Sequence, residues 1–251
     1  PALLVSWQKS AELSQQFGDE LRAREAAAQL NRLKMLPKEL LAVMNHIHEG
    51  RVIRGEEIVR AYLLRHPHDV EGMRLLADIG VRLSVLTDAD FLLETAIELA
   101  PDNLQLRIDH IQVLRKRQKY EAAYAQAEFL YAKDPNSPLF QSLLAIECMH
   151  SGDIERALDL FSKVLESNPN DLAALTSRGH AQKTFGLTDE AINSYRQAIA
   201  IDPLHGDAWY GLANLKTYRF SEADIAGMTQ ALNNTSPSFM SRIHILFALG
   251  K

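Results

Sequence analysis

Small and bulky apolar positions recur along this chain with a period far longer than one helix. One series of compact or β-branched residues runs Val43, Ala77, Ile111, Ala145, Gly179 and Ala213, and a second runs Gly55, Ala89, Ala123, Ala157, Ala191 and then Ile225. Large side chains fill the positions around them: Leu76, Leu93, Leu144, Phe161, Tyr195, Trp209 and Leu212. Two helices cross closely only where the contact residues are small, since the side chains at the contact set the distance between the axes. Two compact series in one repeating frame therefore predict two packed helices per frame, joined antiparallel.

Proline sets the length of the frame. Pro67, Pro101, Pro135, Pro169, Pro203 and Pro237 stand 34 residues apart, six of the nine prolines in the chain. Each follows a helix-like run, as in AIELAP, EFLYAKDP, VLESNP and AIAIDP. Proline lacks an N–H and clashes with the carbonyl four residues back, so it ends a helix. Asp102, Asn136, Asn170 and Asp171 beside the prolines are expected to accept hydrogen bonds from the next helix's free N–H groups. With proline as position 32, Gly50, Gly152 and Gly186 all fall at position 15, where the first helix must turn into the second. A period of this length marks a repeat protein of stacked supersecondary units. The predicted fold is all-α, a right-handed superhelical solenoid of antiparallel helix pairs.

The register divides the chain into a degenerate N-terminal capping repeat over 1–35 and six units between 36 and 237. Their frames are 36–69, 70–103, 104–137, 138–171, 172–205 and 206–239. In the capping stretch Trp7, Ala11, Gly18 and Ala23 echo positions 4, 8, 15 and 20, and ELRAREAAAQLNRLK reads as a solvated helix. Terminal repeats need a polar outer face, so divergence is expected there. Residues 238–251 begin one more amphipathic helix, with Ile243, Leu246, Phe247 and Leu249 on its apolar face. That face is expected to be exposed, as at the truncated end of a longer protein, and to offer a route to a homodimer. In the sixth unit Phe220 replaces the glycine and Ile225 the alanine, so the second helix is expected to shift register.

These residues resemble the tetratricopeptide-repeat (TPR) family, whose pattern has an aromatic at 4, Leu at 7, a small residue at 8, Ala at 20, an aromatic at 24, Ala at 27 and Pro at 32. Trp209, Leu212 and Ala213 match in the sixth unit, and Gly179, Ala191, Tyr195, Ala198 and Pro203 in the fifth. The third unit departs from it, with Arg107 at 4, His110 at 7 and Ala127 at 24. The resemblance implies a protein-binding module. Over 205–251, DAWYGLANLKTYRFSEADIAGM and IHILFALGK resemble the end of the TPR half of bacterial TPR-containing sulfotransferases. That likeness implies a downstream catalytic domain using the sulfonate donor PAPS, to which the array presents a partner or substrate. A freestanding scaffold without an enzymatic domain, and the TPR part of a glycosyltransferase-like enzyme, are the alternatives.

Within the chain itself no catalytic, cofactor or metal site is expected. There is no Gly-rich phosphate loop, HExxH, GxSxG or Cys-x-x-Cys. His46/His48 are spaced i, i+2, which sends a helical pair to different faces, and His66/His68 flank Pro67 as a chance surface pair in an exposed turn. A net charge of −5 argues against nucleic acid as a partner. The apolar runs fall far short of a membrane span. The single Cys148 reads as a packing residue and suits a reducing cytoplasm, the expected location. NNTS at 233–236 holds overlapping glycosylation patterns, without meaning in a bacterial cytoplasm. Arg115-Lys116-Arg117-Gln118-Lys119 is a dense basic run at a helix end, where cations meet the helix C-terminus favourably.

Positions 2, 5, 9, 12 and 13 of each first helix should line the concave groove, and they nominate the binding residues. These are Arg74, Asp78 and Arg82 in unit two, and Gln112, Arg115 and Lys116 in unit three. Units four to six add Met149, His150, His180, Lys183, Tyr210, Asn214 and Tyr218. The expected groove is cationic in the middle and aromatic toward its end, which suits an acidic segment of a protein or peptide. The clamp of chaperone-binding TPR modules, a cation at 5 with Asn at 9, is not matched: unit one has Leu40 and Met44, and unit two pairs Arg74 with Asp78.

Overall fold

The 34-residue frame is written into the backbone as two kinds of turn. The computed structural model describes residues 2–234 and 237–251, so Thr235 and Ser236 of the glycosylation pattern lie outside the described residues. At the junction between frames, the amide two residues after the proline donates to the carbonyl of the residue before it. These bonds are Asp69 to His66, Asn103 to Ala100, Ser137 to Asp134, Asp171 to Asn168 and His205 to Asp202, at 3.0–3.2 Å. Proline is thus the second residue of a four-residue β-turn, where its fixed φ is already correct. The acceptors that cap the next helix follow from this geometry. Asp69 and Asp171, two residues past their prolines, accept from Gly72 N (2.7 Å) and Ala174 N (2.9 Å). Of the expected acceptors only Asp171 caps; Asp102, Asn136 and Asn170 sit inside the turn.

The second turn joins the two helices of a frame. Gly50, Gly152 and Gly186 have φ of 75°, 86° and 90°, and Ser84 and Gln118 at the same position have φ of 62° and 60°. A 6→1 hydrogen bond closes each of these helix ends, as in Val85 N to Gly80 O (2.7 Å) and Leu187 N to Gln182 O (2.9 Å). A left-handed conformation is costly for a residue with a Cβ and free for glycine. Ser84→Gly and Gln118→Gly are therefore each expected to stabilise the chain by about 0.5–1 kcal/mol. Urea midpoints check this, and a decrease for both would show that the side chains are held by something other than the turn.

Among the described residues there are fifteen helices and no strand. The chain divides into two compact units at 119/120, inside the 104–137 frame. The first contains α1 (Ala2–Gln16), α2 (Glu20–Met35), α3 (Lys38–His48), α4 (Val52–Leu63), α5 (Val70–Arg82), α6 (Leu86–Leu99) and α7 (Leu104–Lys116). Its helices pair as α1 with α2, α3 with α4 and α5 with α6, and neighbouring pairs stack through α4–α5 and α6–α7. Val43, Ala77 and Ala89 are fully covered at these crossings, among Leu40, Leu75, Leu76, Ile79, Leu93 and Leu106.

The second unit contains α8 (Tyr120–Lys133), α9 (Pro138–Ser151), α10 (Ile154–Ser167), α11 (Leu172–Phe185), α12 (Thr188–Ile201), α13 (Gly206–Ala213), α14 (Glu222–Asn234) and α15 (Phe239–Leu249). Here α8 packs on α9, α9 on α10, α10 on α11, α11 on α12 and α12 on α13. At position 4, Gln141 Nε2 and Trp209 Nε1 donate to the carbonyls of Pro135 (2.8 Å) and Pro203 (2.9 Å), tying a helix to the turn before it. Cys148 is fully buried, and burial pushes its thiol up to about 11, as expected of a packing residue.

The sixth frame departs from the others. Helix α13 stops after eight residues, Phe220 lies in the link behind it, and Ile225 is 47% exposed where the other frames bury glycine or alanine. Asp224, Met228 and Ala231 form the buried side of α14 instead. Helix α15 runs parallel to α13, with Gly206 against Ser241, Tyr210 against His244, and Leu215 O accepting from Lys251 Nζ (2.6 Å). The apolar side of α15 is thereby split: Ile245 and Ala248 are buried, whereas Ile243, Leu246 and Phe247 are 42–51% exposed.

Candidate interaction faces

In the first unit the nominated arginines already serve the chain's own carboxylates. Arg74 donates to both oxygens of Glu71 (Nε 3.0 Å, Nη2 2.7 Å) and to Asp109 Oδ2 (3.1 Å), with its side chain 15% exposed. Arg32 approaches the same Glu71 at 3.3 Å. Burial opposes the charges of this cluster, but the ion pairs outweigh it, holding Glu71 below the usual carboxylate range and Arg74 above its own. Arg82 Nε donates to Asp78 (3.1 Å) one helical turn back. Three arginines thus meet Glu71, Asp78 and Asp109, and the expected cationic lean is neutralised here. Arg74, Asp78 and Gln112 surround a depression of about 80 Å³. Arg115 is partly buried, while Gln112 and Lys116 are exposed.

The other half of the basic run folds back on the chain. Lys119 Nζ donates to Asp90 Oδ2 (2.7 Å), Arg117 pairs with the same carboxylate, and His110 Nε2 lies 2.6 Å from Oδ1. Asp90 and His110 are 2% and 3% exposed. Burial alone would raise the Asp90 pKa, but hydrogen bonds from Lys119 and His110 dominate and hold it below the ordinary value. This explains why the third unit carries His at position 7: it is the partner of a buried acid on the preceding helix. The pattern of spacings gave no sign of that pair. Asp90, Glu94 and His110 also form a group with metal-compatible spacing among the described residues. Arg117 and Lys119 already occupy the charge of Asp90, which makes the cluster a structural ion-pair network.

In the second unit the nominated residues fall into different settings. His150 stacks on Tyr120, with ring centroids 4.8 Å apart. His180 Nδ1 and the Tyr195 hydroxyl are hydrogen-bonded at 2.8 Å, and burial lowers the His180 pKa. Tyr218 accepts from Arg196, which also grips Asp224, so Tyr218 belongs to a structural cluster between α12 and α14. Tyr210, by contrast, is part-exposed, stacked on His244 (4.7 Å) and tilted against Phe247 (5.0 Å). His244 Nδ1 lies 2.6 Å from Asp207 Oδ1. Asn214 donates to Tyr210 O (3.0 Å), while Lys183 near the end of α11 is exposed and Met149 near the end of α9 is part-buried. His244 and Phe247 complete the aromatic group from α15, beyond the sixth frame, where the first-helix positions of the six units do not reach.

Two family models, both described as tetratricopeptide repeat, match residues 114–179 and 176–215. The chain is 26% identical over 145 residues to Protein bimA of Emericella nidulans, covering 56% of this chain and 18% of bimA. It is 33% identical over 79 residues to the small glutamine-rich tetratricopeptide repeat-containing protein 2 of Mycosarcoma maydis, covering 31% of this chain and 22% of that protein. The matches thus span less than a quarter of these relatives. Among solved structures, residues 41 to the end of MamA from Desulfovibrio magneticus RS-1 superpose with a TM-score of 0.59 at 13% identity, over 66% of this chain and 97% of that one. No described helix is long and apolar enough to cross a membrane. The fold is that of the tetratricopeptide solenoids, and residues 114–215 carry tetratricopeptide repeats.

Proposed function

We propose that the chain is a protein-interaction module that holds an extended peptide segment on the α11–α13–α15 side of its second unit. The observation that carries this reading is the part-exposed group Tyr210, His244 and Phe247, with the Asp207 carboxylate beside the histidine. Aromatic side chains give large contact area at low entropy cost and dominate binding hot spots. Since Arg74 and Arg82 are matched internally, the recognition we assign is aromatic and hydrogen-bonding rather than a response to an acidic partner. Tyr210→Ala and Phe247→Ala are each expected to lower binding to an immobilised peptide array about tenfold, with helical content unchanged. Unaltered binding by both variants would overturn the assignment.

The likeness of residues 205–251 to the TPR half of TPR-containing sulfotransferases supports a second proposal. In the natural protein the array would present its partner to a PAPS-dependent sulfotransferase domain, with a freestanding scaffold or a glycosyltransferase-linked array as the rivals. Transfer of labelled sulfonate from PAPS by the full natural chain tests it, and absence of transfer removes the enzymatic part alone.

A further inference from the structure

On the first unit a cleft of about 380 Å³ opens between α4 and α6, floored by Leu76 and Ile79 of α5 and walled by Leu83, Val85 and Phe91. Glu56, Arg60 and Asp88 stand around it. The 34-residue register shows what other frames put in the same place. One frame on, Glu56, Leu83 and Val85 become Asp90, Arg117 and Lys119, and the two cations reach onto the carboxylate. Two frames on, Arg60 and Asp88 become Glu128 and Arg156, which form an ion pair. Four frames on they become Arg196 and Asp224, paired again. The frame between these holds Ser162 and Glu190, which have no charge pair to make.

Arg60 and Asp88 carry the opposite charges that such a bridge needs, yet it is not made. Arg60 Nε donates instead to Glu56 (2.8 Å), and Asp88 is exposed without an ion pair among the described residues. Leu83 and Val85, where the next frame has Arg117 and Lys119, leave the wall apolar. Phe91 stands 68% exposed. The cleft is therefore open, apolar at its floor, and rimmed by two carboxylates and one guanidinium.

We propose that this cleft is a docking pocket for a partner-protein segment that inserts one Leu, Met or Phe side chain and sets a Lys or Arg beside it. Its volume lies in the range of ligand sites, roughly 300–1,000 Å³. A few side chains that fill desolvated pockets carry most of the energy of such a contact. The charge of the rim selects the flanking residue: Asp88 is uncommitted, and a cation there gains a partner that an acidic flank would meet as repulsion. This site is separate from the aromatic group of the second unit and does not depend on it.

A display library of random 12-residue peptides, selected on the whole chain, tests the proposal. Enriched peptides should carry Leu, Met or Phe adjacent to Lys or Arg. Their affinity, read by fluorescence anisotropy, should fall at least tenfold with Leu83→Arg, which copies Arg117, and with Asp88→Lys. Asp88 is exposed, so Asp88→Lys leaves the fold intact, and exchanging the peptide's Lys for Glu should restore part of the binding to that variant. Tyr210→Ala should leave these peptides bound. Absence of such peptides, insensitivity to both cleft variants, or loss with Tyr210→Ala would each overturn it.

Discussion

Asp90→Ala is expected to lower the stability of the first unit by about 3 kcal/mol at neutral pH, the low end for breaking a buried ion pair. The carboxylate is 2% exposed and is shared by His110, Arg117 and Lys119. Alanine leaves the buried His110 imidazole without its Asp90 partner and two cations without their acid. Lys119 can turn to solvent, and this keeps the loss from being larger. The effect also has a pH signature. Because the folded pKa of Asp90 is lowered, its contribution is complete above the ordinary carboxylate value of about 3.9 and disappears as the pH falls through the folded value. The part of the difference that the Asp90 charge contributes should therefore shrink as the pH falls into the acid range. Urea unfolding, with amide exchange in α6 and α7 as the local readout, measures both. A loss under 1 kcal/mol at pH 7 would show that the network contributes little beyond its own desolvation.

That network also marks where the sequence was legible and where it was not. The prolines, the glycines at position 15 and the compact residues at positions 8 and 20 all act within a frame or at its edge, so their spacing alone exposes the helix pairs. Even Ser84 and Gln118 obey the frame, adopting the left-handed turn that glycine takes elsewhere. Charge partners follow a different logic. Asp90 meets His110, Arg74 meets Asp109, and Arg196 meets Asp224, each joining consecutive frames through side chains whose direction the period does not specify. The basic look of Arg74 and Arg117 in the sequence was therefore no guide to their net field. The site was legible as a set of positions on first helices, of which Tyr210 remains part-exposed and Tyr218 is absorbed into the Arg196–Asp224 pair.

Gly211→Ala is expected to destabilise the second unit by about 2 kcal/mol, against the usual gain of alanine over glycine in a helix. A methyl group on Gly211 would lie 2.6 Å from Tyr195 Cε1, and one on Gly179 would lie 2.5 Å from the same atom. Tyr195 is fully buried and its hydroxyl is held by His180, so the ring has no room to yield. The cost is thus a property of the pair and should vanish when the ring is reduced. In a Tyr195→Leu background, Gly211→Ala is expected to be neutral or stabilising, a coupling of about 2 kcal/mol in a double-mutant cycle. Gly227 supplies the contrast: it lies in α14 with nothing within 4 Å of the position of an added methyl, so Gly227→Ala should stabilise by up to about 1 kcal/mol. An equal cost for Gly211→Ala with and without the tyrosine ring would mean that the helix backbone, and not the ring, sets the need for glycine. If the coupling is found, the same contact explains why the fifth and sixth frames keep glycine beside an aromatic. The large ring at position 24 fills the crossing that Ala127 leaves small in the third frame, and the two glycines make the space for it.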